Sequence, residues 1–91
     1  MDIEFDPAKD EANRFKHGVR LAFGQGVFDD PDHVIAETVR LGDEEERLKA
    51  IGRIDGKLFT AIHVWRGEVV RLISVRRSNP SEQRDYYRNS G

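Results

Sequence analysis

Val69-Val70-Arg71-Leu72-Ile73-Ser74-Val75-Arg76-Arg77, followed after a short break by Ser81-Glu82-Gln83-Arg84-Asp85-Tyr86-Tyr87, pairs an arginine-bearing strand with a helix and sets the architecture of the chain. An apolar run with period 2 reads as a buried strand. Strict alternation places Val70, Leu72, Ser74 and Arg76 on one face and Arg71, Ile73, Val75 and Arg77 on the other. Arginine seldom occupies a core strand unless it is paired or awaits an anion. Asn79-Pro80-Ser81 breaks the strand pattern and starts a C-terminal helix.

Upstream, strands are expected at 34–41, 47–54 and 58–65, ahead of the one at 69–76. Turns at Gly42-Asp43, Asp55-Gly56 and Arg66-Gly67-Glu68 join them, and Asp-Gly is a strong hairpin signal. Sequential hairpins make an antiparallel meander. Leu58, Ile62 and Val64 alternate with Phe59, Ala61 and Trp65, so the middle of the sheet is apolar on both faces. Helices are expected on one face, with partial cover on the other, for instance by a partner.

At the N-terminus, Ile3-Glu4-Phe5 reads as a short strand. Asp6-Pro7 reads as an N-cap followed by proline at the first helical position. Ala8, Ala12 and Phe15 then form an apolar stripe at i, i+4, i+7, beside a polar stripe of Lys9, Asn13 and Lys16. Gly18 supplies the C-terminal stop, which gives a helix at 7–17. A second short helix is expected at 21–28, where Gly24 and Gly26 each weaken it by roughly 1 kcal/mol relative to alanine. The order β-α-α-β-β-β-β-α is a small α+β fold: a curved antiparallel four-stranded sheet, a short N-terminal strand, N-terminal helices and a C-terminal helix.

A chain of 91 residues is expected to make one domain, 1–91, with a thin core. The absence of cysteine excludes disulfides, a thiolate zinc site and a cysteine nucleophile. Met1 leads into Asp2-Ile3-Glu4 rather than a basic and then apolar region, so a cytoplasmic, bacterial protein with no membrane association is expected. Charge is unevenly shared. Residues 1–46 carry 5 basic and 13 acidic side chains, a balance of −8, and residues 47–91 carry 10 basic and 4 acidic, a balance of +6. This asymmetry suggests a polyanion or acidic partner for the second half, or mutual neutralisation of the halves within the fold, with Glu44, Glu45 and Glu46 close at hand.

Period 2 puts Arg47, Lys49, Ile51 and Arg53 on one face of their strand. With Arg71, Arg76 and Arg77 they make a candidate phosphate-binding groove, because the guanidinium fork grips two phosphate oxygens and keeps its charge. The histidines, His17, His33 and His63, match no metal spacing, and no cofactor is expected. His63 is read as structural and His33 as exposed. His17, at a helix C-terminus, either caps it as an imidazolium or serves as an acid–base group near neutral pH. On the last helix, either one of Tyr86 and Tyr87 packs on the sheet and the other is exposed, or Tyr86 and Glu82 reach the groove, one to stack on a base and the other to orient an arginine.

These pieces together resemble the BrnT family, the toxin component of BrnT–BrnA type II toxin–antitoxin systems. The resemblance is carried by Phe5-Asp6-Pro7-Ala8-Lys9, Asn13, Lys16-His17-Gly18-Val19, Val27-Phe28-Asp29-Asp30-Pro31, Glu46-Arg47, Ile51-Gly52-Arg53, the run from Arg71 to Arg77, and Glu82 with Arg84 and Tyr86. It departs at Phe5, where the family commonly has tryptophan, and at Phe23-Gly24-Gln25-Gly26, where acidic helix formers are usual. The resemblance implies a RelE-like fold and a metal-independent endoribonuclease that inhibits translation and growth. It also implies neutralisation by a BrnA-like ribbon-helix-helix antitoxin in a heterotetramer, with operator DNA bound only through the antitoxin. Candidate catalytic residues are Arg47, Arg76, His17, Glu82 and Tyr86; candidate RNA contacts are Lys16, Lys49, Arg53, Arg71 and Arg77. The competing expectation is a non-catalytic module whose basic face binds an acidic protein or nucleic acid.

Overall fold

Asp6 caps the first helix through its carboxylate, which accepts the Ala8 N–H at 2.9 Å, and proline follows at the first helical position. Gly18 closes the helix in the left-handed region at φ 82° and donates its N–H to the Arg14 carbonyl, a conformation that glycine adopts without a Cβ penalty. The computed structural model describes residues 1–38 and 46–90. Its elements are β1 (Asp2–Glu4), α1 (Pro7–His17), a 3-10 turn (Leu21–Gly24), α2 (Gln25–Asp29), β2 (Val34–Glu37), β3 (Leu48–Ile54), β4 (Lys57–Arg66), β5 (Val69–Arg77) and α3 (Pro80–Ser90). The expected continuation of the first meander strand to Leu41, the turn at Gly42-Asp43 and the pairing role of Glu44 and Glu45 lie outside the described residues.

One five-stranded sheet runs in the order β1-β5-β4-β3-β2. β2 to β5 form the expected antiparallel meander. β1 joins the same sheet parallel to β5, with Ile3 opposite Val70, so the sheet is mixed and has five strands.

Three expectations need correction. First, the helices occupy both faces. Ala50, Phe59, Ala61, Val70, Leu72 and Val75 pack with Leu21, Val27 and Phe28, whereas Ile51 and Leu58 pack with Tyr86 of α3. Neighbours such as Ala50 and Ile51 point to opposite sides, so this chain's own helices cover both faces of the central strands, while Trp65 near the end of β4 stays 50% exposed.

Second, β5 is bulged. Ile62 pairs with Ser74 but His63 pairs with Leu72, leaving Ile73 as an extra residue. A bulge of one residue reverses the alternation beyond it. Val70, Leu72, Val75 and Arg77 therefore share the face of the N-terminal helices, and Arg71, Ser74 and Arg76 share the α3 face. Strict period 2 had separated Arg71 from Arg76 and joined Arg71 to Arg77.

Third, α1 buries its polar side. Asp10 and Asn13 are its buried residues, while Ala8 and Ala12 are exposed and Phe15 is 88% exposed. The cause is the sheet edge. β1 pairs only with Val69 to Arg71, so β5 further on lacks a neighbouring strand there. The Asn13 amide takes that place, donating to the Val75 carbonyl at 2.8 Å and accepting the Val75 N–H at 3.1 Å, and it also donates to the Val19 carbonyl. Buried peptide groups must be paired, and this requirement turns the helix.

The second helix region is helical but divided into the 3-10 turn and α2. Its glycines answer to packing. A Cβ on Gly24 would lie 2.8 Å from the Val75 side chain. Where β3 meets α2, a Cβ on Gly52 would lie 2.5 Å from the Val27 carbonyl oxygen.

Candidate functional site

Asn79-Pro80-Ser81-Glu82 opens α3 with a reciprocal cap. Asn79 accepts the Glu82 N–H through its side chain at 2.8 Å, and the Glu82 carboxylate accepts the Asn79 N–H at 2.9 Å. This capping box fixes the Glu82 side chain over the sheet. Its two oxygens receive both prongs of the Arg76 guanidinium, at 2.7 and 2.8 Å, the Lys49 ammonium at 3.3 Å and the Thr60 hydroxyl at 2.9 Å. Thr60 spends its proton on Glu82, so the 2.7 Å bond between Thr60 and Ser78 is donated by Ser78.

Glu82 is 1% exposed. Burial alone would raise its pKa, but the Arg76 guanidinium, the Asn79 N–H and the Thr60 hydroxyl outweigh burial and bring it down to about 2. The carboxylate is thus ionised with its lone pairs in use, and it serves as a fixed anchor for Arg76. The same bond raises the pKa of Arg76, against the opposing effect of burial. Arg76 remains 30% exposed at its side chain and Lys49 21%, so both cations reach solvent on the α3 face.

Arg71 lies on this face as well, paired with Glu4 of β1. Arg47 is exposed and precedes β3, held through its backbone, where its carbonyl accepts from both the Thr38 N–H and hydroxyl. Arg77 departs from the set, since its guanidinium stands over the Phe59 ring at 5.6 Å on the opposite face.

His17 ends α1 and is half-buried. Burial lowers its pKa, and the charges of Lys16 and Arg76 lower it further. The helix terminus was expected to favour an imidazolium. Here burial and the two nearby cations favour the neutral ring, and His17 lies within the electrostatic reach of Lys16 and Arg76.

Tyr86 is buried, and its hydroxyl donates to the Asp30 carboxylate at 2.7 Å. Burial and the Asp30 carboxylate raise its pKa to about 12. The same Asp30 oxygen accepts the Arg53 N–H, so Asp30 ties the end of α2 to β3 and α3. Arg53 donates to the Tyr87 hydroxyl at 3.1 Å and stands 5.7 Å from both tyrosine rings. Of the remaining histidines, His63 is buried against Phe28, and the His33 ring nitrogen meets the Asp30 carbonyl at 2.8 Å rather than standing free in solvent.

Sequence reasoning missed Thr60, Ser78, Asn79 and Asp30. The Asn-x-x-Glu spacing was a legible signal for Asn79; nothing local marked the others. Among the described residues, no three His, Asp or Glu side chains gather in a way that could hold a metal ion, and no helix is long and apolar enough to cross a membrane.

Fold and site together define a small α+β domain with a cluster of cations, oriented by a buried carboxylate, on the α3 face of its sheet. Residues 5–82 match the family described as the ribonuclease toxin BrnT of type II toxin–antitoxin systems, and the chain belongs to that family. No curated protein matches it.

Proposed function

We propose that this chain is a metal-independent endoribonuclease with a RelE-like fold, which cuts RNA in the cytoplasm, blocks translation and arrests growth. A BrnA-like ribbon-helix-helix antitoxin neutralises it in a heterotetramer, and operator DNA is contacted through the antitoxin alone. The observation that carries the reading is the two-pronged Glu82–Arg76 bond with Lys49 beside it. Such a bond holds a guanidinium in one orientation before substrate arrives, which is how a fixed cation stabilises charge that develops in a transition state.

In the proposed reaction the 2′-hydroxyl oxygen attacks the adjacent phosphorus. The bond to the 5′-oxygen breaks and a cyclic phosphate remains. His17 takes the 2′-hydroxyl proton, because its lowered pKa leaves the ring neutral at pH 7. Lys16, whose charge His17 feels, supplies the proton for the departing 5′-oxygen. Arg76 and Arg47 clamp the phosphorane, and Arg71 and Lys49 assist. Arg53 contacts RNA further along α3. Glu82 is a positioning residue for Arg76, and Tyr86 holds α3 in place through Asp30. Arg77, on the far face, stands outside the clamp.

The test is induced expression of the chain alone in a bacterial host, with growth and total RNA followed together, beside Arg76→Lys. Lysine keeps the charge against Glu82 but loses the fork, so the variant is expected to fold and to lose at least about 100-fold in cleavage. The cleavage rate of wild type should rise with pH through a value below the ordinary histidine pKa and then level off, and His17→Asn should abolish that limb. Full arrest by folded Arg76→Lys would refute the clamp. Normal growth and intact RNA with wild type would favour the non-catalytic module, recognisable by small, additive, salt-dependent losses of RNA affinity.

A further inference from the structure

The outer edge of the sheet at β2 differs from the Arg76 site in every physical respect. β2 pairs with β3 alone and ends the strand order. The Thr38 N–H donates to the Arg47 carbonyl. Antiparallel ladders alternate bonded and non-bonded pairs, so Val34 and Ala36 turn their peptide groups to β3. Ile35 and Glu37 turn theirs outward, where among the described residues nothing pairs with them. Ile35 is also 47% exposed. Beside it a cavity opens between β2 and the end of α3, lined by Pro31, Asp32, His33, Val34, Ile35 and Asn89. An edge with free N–H and C=O groups next to an exposed apolar side chain is a template for another strand.

Charge selects the occupant. From 29 to 38 the chain carries Asp29, Asp30, Asp32 and Glu37 and no lysine or arginine. Asp30 is committed to Tyr86 and Arg53, and Asp29 at the end of α2 accepts from Gln25, which leaves Asp32 and Glu37 as the carboxylates along the edge. RNA would be repelled there. A second copy would set the same carboxylates against each other. An extended segment that carries lysine or arginine between apolar residues suits both the edge and the cavity.

We infer that an extended, basic and apolar segment of the protein antitoxin adds to β2 as a sixth strand, antiparallel or parallel, with one cationic side chain in the cavity beside Asp32. This rests on family membership for the existence of a protein antitoxin, and it is independent of the chemistry at Arg76. The edge anchors the antitoxin one strand away from Lys49 and Arg47, next to the cations that its acidic parts would cover.

Amide hydrogen exchange on the free chain and on the intact toxin–antitoxin complex tests this directly. Ile35 and Glu37 should exchange fast in the free chain and slow by at least about 100-fold in the complex, while Ala36, already bonded to β3, changes little. Ile35→Pro removes an outward N–H without breaking a bond to β3, and Glu37→Lys reverses a charge while leaving the backbone alone. Each should weaken antitoxin binding by at least about tenfold and leave growth arrest by the free chain intact. Unchanged exchange at Ile35 and Glu37 in the complex would overturn the inference. So would failure to form a complex, protection that grows with the concentration of the chain alone, or protection by an RNA oligonucleotide. A chain without ribonuclease activity whose edge is nonetheless protected by the antitoxin would refute the reading of Arg76 and leave this one standing.

Discussion

Replacing Glu82 by glutamine removes one charge from the most connected point of the structure and keeps the shape. Glutamine still accepts the Asn79 N–H, so the cap of α3 survives. What is lost is the ionised partner of Arg76 and Lys49. The folded carboxyl titrates at about 2 instead of 4.5. At about 1.36 kcal/mol for each pH unit of that difference, the ionised form contributes on the order of 3 kcal/mol to stability. That is an upper figure, because Arg76 regains water when its partner is gone. The folded pKa is depressed, so this stability is fully present above the unfolded value near 4.5 and is lost as pH falls towards 2. By pH 3 about 2 kcal/mol of it should have disappeared. Urea unfolding of wild type and Glu82→Gln at pH 7 and pH 3 reads both numbers. The variant should be about 2–3 kcal/mol less stable at pH 7, with a fall in Tm of roughly 15 °C for a domain of this size, and the gap should narrow on acidification. A variant within about 0.5 kcal/mol of wild type at pH 7, or a gap indifferent to pH, would refute the claim that a buried charge organises this site.

Two further outcomes follow from the packing. Asn13→Ala strips the Val75 peptide of both its side-chain bonds and should cost about 1–3 kcal/mol in urea unfolding, whereas Phe15→Ala on the exposed side of the same helix should change stability by less than about 0.5 kcal/mol. Gly52→Ala sets a methyl group 2.5 Å from the Val27 carbonyl oxygen. Because that obstacle is backbone and cannot rotate away, it should cost about 3 kcal/mol, the upper end of ordinary overpacking, by the same assay.

Local rules carried much of the reading. Asp6-Pro7 and Gly18 bounded α1, Asp55-Gly56 turned β3 into β4, and the apolar runs marked the last three strands within a residue or two. Each signal acts between near neighbours in the chain, so it survives without knowledge of the fold. The arginine-bearing strand also pointed to Arg76, and the last helix brought Glu82 into consideration as a group that orients an arginine, without saying which. The errors arose where a distant element overruled a local pattern. Ala8, Ala12 and Phe15 formed the better apolar stripe, yet α1 turned Asn13 inward because β5 had unpaired peptide groups at that point. Glycines at 24 and 26 looked like weak helix formers, and they are sites where a Cβ would meet the Val75 and Ile54 side chains at 2.8 and 2.9 Å.

Helix and strand segments, the meander order, the basic character of the second half and the residues that carry the family resemblance were all legible along the chain. The faces were not. The extra residue at Ile73 carries no mark in the sequence, since it exists only as a mismatch between β4 and β5, yet it puts Arg71 on the same face as Arg76 and sends Arg77 to the other side. The commitment of Tyr86 to Asp30, and of Glu82 to four donors at once, likewise depends on groups up to 56 positions apart. Which side chains meet is a property of the sheet register and the helices packed on it, and local periodicity contains no information about either.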